Sequence, residues 1–142
     1  EYESVILYPG VASCNLSNLN SDDKQRLFAN KKLRVFVIDG TWATAKKMIR
    51  LSSNLKKLPR ICFSPTKPSN FRVRKQPNSH CYSTIEAIHQ TIELMGEVQG
   101  FAVQERLHDR LLTTFDFMVE RQLTFIEKSQ RSSPNTYRRE VN

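Results

Sequence analysis

The sequence has 142 residues, of which 39% are hydrophobic, and its formal net charge is +8. A chain of this length and composition predicts one domain with a core of its own, which needs no disulfide bonds. The four glycines, Gly10, Gly40, Gly96 and Gly100, are placed so that they exclude the dinucleotide fingerprint and the P-loop. No apolar run approaches the roughly 20 residues of a membrane span, so we expect no membrane partner.

The cysteines indicate the redox compartment and argue against a metal centre. Cys14, Cys62 and Cys81 are odd in number and unevenly spaced, which predicts reduced thiols and a cytoplasmic location. They form neither a C-x-x-C pair nor a cluster with histidine, so the sequence predicts no metal site in this chain.

The positive charge is concentrated in one segment. No acidic residue lies between Asp39 and Glu86, where the bases are Lys46, Lys47, Arg50, Lys56, Lys57, Arg60, Lys67, Arg72, Arg74 and Lys75. Such a segment is typical of a protein with a polyanion partner, although a solvated basic surface is the alternative. Phe71, His80 and Tyr82 lie within or beside it, where flat rings can stack on bases.

The first half of the chain alternates strand and helix patterns. Residues 4–8 are a short β-branched run closed by Pro-Gly, and residues 21–29 predict a polar helix with acids at its start. The nearly continuous apolar run at 33–39 predicts a strand of a parallel sheet covered on both faces. A helix follows from Thr41, and residues 58–63 predict a third strand.

Two helices are predicted in the second half. Ser83 and Glu86 have the spacing of a capping box, and the helix they begin carries an apolar stripe that ends near Gly96. The last helix is predicted over residues 101–126.

Strands that alternate with helices predict an α/β fold with a mainly parallel sheet flanked by helices. We expect one domain over residues 1–128, followed by a polar flexible C-terminal tail over 129–142. Ligands of open α/β sheets bind outside the carboxyl ends of the strands. Three segments are predicted to meet there, namely residues 39–42, 64–65 and 82–84.

Each residue of the first segment also has a simpler interpretation. Asp39 precedes a glycine and is typical of a turn, and Thr41 is equally suited to cap a helix. Trp42 on a helix face is more often a core residue than a site residue.

Taken together, these residues resemble a known signature. Asp39-Gly40-Thr41-Trp42-x-x-Ala45-Lys46-Lys47-Met48, with Ser83-Thr84-Ile85-Glu86-Ala87 downstream, resembles the motif of the DTW-domain family. Leu7-Tyr8-Pro9-Gly10 and Leu58-Pro59-Arg60 follow the family's order, and the resemblance spans roughly residues 4 to 125. It implies a SPOUT-like trefoil-knotted fold and the activity of a tRNA-uridine aminocarboxypropyltransferase.

Such an enzyme transfers the 3-amino-3-carboxypropyl group of S-adenosyl-L-methionine to N3 of a uridine and releases methylthioadenosine. The resemblance implies that loops hold the adenosine, at Thr41, Trp42, Leu58, Pro59, Ser64, Pro65, Asn70, Cys81, Tyr82, Ser83 and Thr84. Asp39 is the candidate catalytic base, or alternatively binds the amino group of the transferred chain. Phosphate contacts are expected at Lys46, Arg72, Arg74 and Lys75, and Phe71 or Tyr82 could hold an unstacked uridine.

The expected partner is therefore tRNA, bound by a monomer or a homodimer. Two other functions remain open, a SPOUT-type RNA methyltransferase that uses the same co-substrate and a basic RNA-binding module without catalysis. Many family members carry a cysteine-rich segment upstream that has no counterpart here, so the sequence is either shortened or from a branch that lacks the segment.

Overall fold

The computed structural model describes residues 2–73 and 81–132, which form an α/β unit around one parallel sheet. Its strands are β1 (Tyr2–Leu7), β2 (Cys14–Asn15), β3 (Lys32–Val37) and β4 (Arg60–Cys62). They lie in the order β2-β4-β1-β3, and every pair is parallel. The predicted fold class, a parallel sheet flanked by helices, is confirmed.

The helices begin largely where the sequence predicts. They are α1 (Ser21–Phe28), α2 (Trp42–Leu51), α3 (Ser53–Lys57), α4 (Thr84–Met95) and α5 (Asp109–Ser132), with 3₁₀ turns at Leu16–Asn18, Glu97–Gln99 and Val103–Glu105. The capping box of α4 is present, since Ser83 and Glu86 bond each other's backbone N–H groups. The short helix α3 and the two-residue strand β2 were not predicted. None of the described helices has the length and apolar character needed to cross a bilayer.

The core lies on one face of the sheet. Val5 and Ile61 project from neighbouring strands and pack with Leu16 and with Met95 at the end of α4. Ile6 projects to the opposite face and is fully buried as well. Strand β1 is therefore buried on both faces, because it lies between β4 and β3 in the sheet.

The prediction that the strand at 33–39 is covered on both faces is wrong. Strand β3 is an edge strand, and exposed and half-buried side chains alternate along it. Arg34 and Phe36 lie on its exposed face, while Leu33 and Val35 pack against the core. A run of apolar residues does not distinguish a central strand from an edge strand, because strand order depends on the whole chain.

The last helix also differs from its prediction over residues 101–126. A 3₁₀ turn at Val103–Glu105 leads to Arg106, whose φ of +56° is incompatible with an α-helix. Helix α5 consequently begins at Asp109 and continues to Ser132. It therefore includes residues 129–132, the first four of the predicted tail. The rest of that tail, residues 133–142, lies outside the described residues.

The sheet aligns three chain segments at one edge. In the register of the strands, Leu7 pairs with both Val37 and Ile61, so β1, β3 and β4 end at the same level. The segments that leave these strands therefore lie side by side at the carboxyl edge of the sheet.

Candidate active site

A cavity of about 890 Å³ lies at this carboxyl edge, within the ~300–1,000 Å³ range of small-molecule sites. Three strand ends contribute to it, as do the start of α4 and two residues of α5. Its lining is mostly apolar or aromatic and includes Leu7, Tyr8, Pro9, Ile38, Asp39, Gly40, Thr41, Trp42, Cys62, Phe63, Pro65, Phe71, Cys81, Tyr82, Ser83, Thr84, Phe115 and Met118. The cavity therefore combines apolar walls with a few polar groups.

Asp39 and Thr84, 45 positions apart in the sequence, are in direct contact at this cavity. The Thr84 hydroxyl donates a hydrogen bond to Oδ1 of Asp39 at 2.5 Å. Asp39 follows β3 and is exposed. Gly40 after it has a φ of +144°, a backbone conformation that residues other than glycine rarely adopt. The glycine thus permits the turn, and the threonine orients the carboxylate.

Thr41 and Trp42 begin α2 at the same edge. Thr41 is the N-cap, and its hydroxyl accepts a hydrogen bond from the Thr44 N–H at 3.1 Å. Trp42 is 40% exposed, so its interpretation as a core residue is wrong. Its ring lies 6.2 Å from that of Tyr8, at a tilt of 51°. The two rings form one aromatic wall of the cavity.

Further rings line the cavity, and one carries a buried polar atom. The rings of Phe63 and Tyr82 lie 5.7 Å apart. Burial raises the pKa of Tyr82 above its usual value. The backbone of Lys67 lies close enough to the Tyr82 hydroxyl to oppose this rise in pKa. The two groups do not meet the geometry of a hydrogen bond, so the buried hydroxyl has no partner among the described residues. A buried hydroxyl of this kind can bond a polar ligand atom.

Glu86 holds the loop after β4 against the start of α4. Its buried carboxylate accepts hydrogen bonds from the Ser69 hydroxyl and from the backbone N–H groups of Asn70 and Ser83, each at 2.7 Å. Its carboxylate oxygens thus face three protein donors, which indicates a structural role in the loop.

Four of the residues expected to hold the adenosine do not line the cavity. Leu58 and Pro59 precede β4 at the opposite end of the strand, where the Pro59 carbonyl accepts from Ile6 N–H. The Ser64 hydroxyl accepts from Asn15 at 2.9 Å. The Asn70 side chain donates to Asp116, and Asn70 lines a second cavity instead.

Several lining residues were not among the predicted site residues. Tyr8 lies in the segment Leu7-Tyr8-Pro9-Gly10 that follows the family's order, and Phe63 ends the predicted third strand, so each had a signal in the sequence. Met118 had none, because it reaches the cavity from α5, far along the chain.

Six of the ten bases of the acid-free segment fall into three groups. Lys46, Lys47 and Arg50 are exposed on α2 and form no ion pair with any described residue. Arg72 pairs with Glu120 of α5. Arg74 and Lys75, expected to contact phosphates, lie outside the described residues together with His80.

The DTW-domain family model matches residues 1–123, most of the chain. The chain belongs to the DTW-domain family. This DTW domain is 26% identical over 92 residues to the tRNA-uridine aminocarboxypropyltransferase 2 of Macaca fascicularis, covering 65% of the chain and 29% of the relative. It is 26% identical over 117 residues to the protein of the same name from Mus musculus, covering 82% and 37% respectively. The DTW domain thus spans about a third of these relatives, and no solved structure matches it.

Proposed function

We propose that this DTW domain transfers the 3-amino-3-carboxypropyl group of S-adenosyl-L-methionine to N3 of a uridine in tRNA. The observation that carries the proposal is the hydrogen bond between Thr84 and Asp39, which both line the cavity. It joins the two halves of the family motif at a site large enough for a nucleoside. The names of the two mammalian relatives supply the reaction and the RNA class.

The lining of the cavity suits S-adenosyl-L-methionine in two respects. Tyr8 and Trp42 provide flat apolar surfaces for an adenine ring. Tyr82 lines the same cavity, and its hydroxyl has no partner among the described residues. Asp39 is the acidic residue in the lining, so it is the group that would attract the cationic end of the co-substrate.

The proposed reaction is a nucleophilic substitution. The N3 lone pair of uridine bonds to the γ-carbon of the methionine moiety, the carbon–sulfur bond breaks, and its electrons leave with neutral methylthioadenosine. The N3 proton must pass to a base, and Asp39 is exposed and held by Thr84 at the cavity. Alternatively, Asp39 binds the amino group of the transferred chain. Since the sulfonium is already an activated leaving group, the protein mainly aligns the two reactants.

The knotted SPOUT-like topology belongs to the same proposal. Family membership, the parallel sheet and a cavity formed by loops at the carboxyl edge all support it. Binding through loops also agrees with the absence of any glycine-rich nucleotide cradle in the sequence.

The test is to incubate unmodified tRNA with the protein and S-adenosyl-L-methionine, then digest the tRNA and measure the masses of its nucleosides by mass spectrometry. We expect a uridine that is heavier by an aminocarboxypropyl group, together with methylthioadenosine as co-product. A uridine heavier by a methyl group, with S-adenosylhomocysteine, would instead support an RNA methyltransferase. No binding of S-adenosyl-L-methionine in a calorimetric titration would leave an RNA-binding module and overturn both enzyme functions.

A further inference from the structure

A second cavity, of about 630 Å³, lies between α4 and α5. His89 and Glu93, one turn apart on α4, line it beside Arg106. His108 and Asp109, at the start of α5, complete a cluster of four metal-ligating side chains. The left-handed backbone of Arg106 ends the 3₁₀ turn before it and directs the chain into this position.

The four ligand atoms alternate nitrogen and oxygen around a closed ring. Nε2 of His89 lies 2.8 Å from Oδ1 of Asp109 and 3.7 Å from Oε1 of Glu93. Nε2 of His108 lies 2.8 Å from that same Glu93 oxygen and 4.0 Å from that same Asp109 oxygen. A tetrahedral ion with ligands at ~2.0–2.1 Å needs six edges of about 3.3 Å. The four N···O distances lie on either side of that value, and all four ligand atoms lie within 4.8 Å of one another, so small side-chain shifts would be needed to close the site around an ion.

We propose that His89, Glu93, His108 and Asp109 form a zinc site that joins helices α4 and α5. Two imidazoles with two carboxylates are a ligand set that Zn²⁺ accepts, and among common divalent ions it favours four tetrahedral ligands. Because the protein supplies all four ligands, the site is structural and closed rather than catalytic.

Burial and charge at the cluster agree with a bound cation. Only 1% of the His108 side chain and 10% of the His89 side chain are exposed, so both imidazoles are held in place by packing. With neutral histidines, the two carboxylates outnumber Arg106, the one cation paired with them in the described part of the chain, and leave a net negative charge. Such a charge favours binding of a divalent ion.

An ion must displace Arg106 and also replace the hydrogen bonds that join Nε2 of His89 to Asp109 and Nε2 of His108 to Glu93. Arg106 bonds Glu93 Oε1 at 2.5 Å and Asp109 Oδ1 at 2.7 Å, the same two oxygens that would ligate the ion. Its side chain is about half exposed, and its Nε also bonds Asp109 Oδ2 at 2.9 Å. The guanidinium can therefore turn toward solvent and retain one contact.

The proposal is tested by titrating Zn²⁺ into EDTA-treated protein against a chromophoric chelator. We expect one equivalent to bind and to raise the melting temperature, since the ion binds the folded state. His89→Gln with His108→Gln should lower the affinity at least tenfold, while Glu97→Gln, whose carboxylate contacts Gln104 nearby, should leave it unchanged. No binding by the wild type, or equal binding by the double variant, would overturn the proposal.

Two further measurements make the ligand assignment specific. X-ray absorption of the zinc-loaded protein should show a first shell of nitrogen and oxygen, whereas sulfur would place the ion at the cysteines and overturn the site. Arg106→Gly, which suits the left-handed backbone and removes the guanidinium, should bind Zn²⁺ several-fold more tightly. An unchanged or weaker affinity would contradict ligation by the two shared oxygens. If the double histidine variant fails to fold, Glu93→Gln replaces it with the same expected loss.

Discussion

At the scale of single residues, Asp39 and its partner Thr84 carry the proposed chemistry. Asp39→Ala should leave the fold intact and lower the single-turnover rate of transfer by about 10²–10⁴-fold, the usual contribution of a base. Asp39→Asn keeps the size of the side chain and should lose a similar factor, because it lacks the charge. A near-normal single-turnover rate in either variant would remove Asp39 from any essential role.

Thr84 is a positioning residue, since its hydroxyl acts through Asp39. A hydrogen bond to a charged group contributes about 1.5–3 kcal/mol, so Thr84→Ala should lower kcat by roughly 10- to 100-fold. Thr84→Ser keeps the donor and should restore most of the rate, with KM for S-adenosyl-L-methionine similar in both variants. Equal losses in the alanine and serine variants would mean that the hydroxyl is not what matters.

At the scale of elements, the join between α4 and the loop after β4 depends on Glu86. The three groups that bond the Glu86 carboxylate are all donors. Glu86→Gln replaces one accepting oxygen by an NH₂ group, which then faces at least one of these donors. The substitution should therefore destabilise the fold by about 1–3 kcal/mol. Urea unfolding followed by circular dichroism measures the change. The exposed Glu97→Gln serves as the control and should shift stability little. A Glu86 variant as stable as this control would contradict the structural role.

The helices and strands also show which features periodicity and capping patterns can predict. The capping box of α4 and the N-cap of α2 depend on residues within four positions of one another. The capping box was predicted correctly, and a cap at Thr41 was one of the two interpretations left open. The start of α5 was not predicted correctly, because Arg106 adopts a left-handed conformation that its residue type does not signal. The position of β3 at the sheet edge was missed as well, since it depends on which strands pair.

At the scale of the whole molecule, exposed bases on α2 extend from one side of the cavity. If they contact tRNA phosphates, Lys46→Ala with Lys47→Ala should weaken binding and lower the slope of log K against log salt by ~0.7–0.9 per lost contact. Lys24→Ala with Arg26→Ala removes two bases of α1, outside the acid-free segment, and should leave the slope unchanged. Filter binding over a salt series compares the two double variants. Equal slopes in both would mean that α2 faces away from the RNA.

The sequence by itself determined the parallel α/β class, the capping box of α4, the concentration of positive charge and the family motif. These features depend on residue type and short spacing, so they can be read along the chain. Only the tertiary structure decided which of the expected residues share a cavity, and it separated Leu58, Pro59, Ser64 and Asn70 from the others. It also brought His89 and Glu93 against His108 and Asp109, where the sequence had predicted no metal site. The physical reason is that strand order and helix packing join residues far apart in the chain, and local patterns do not encode those contacts.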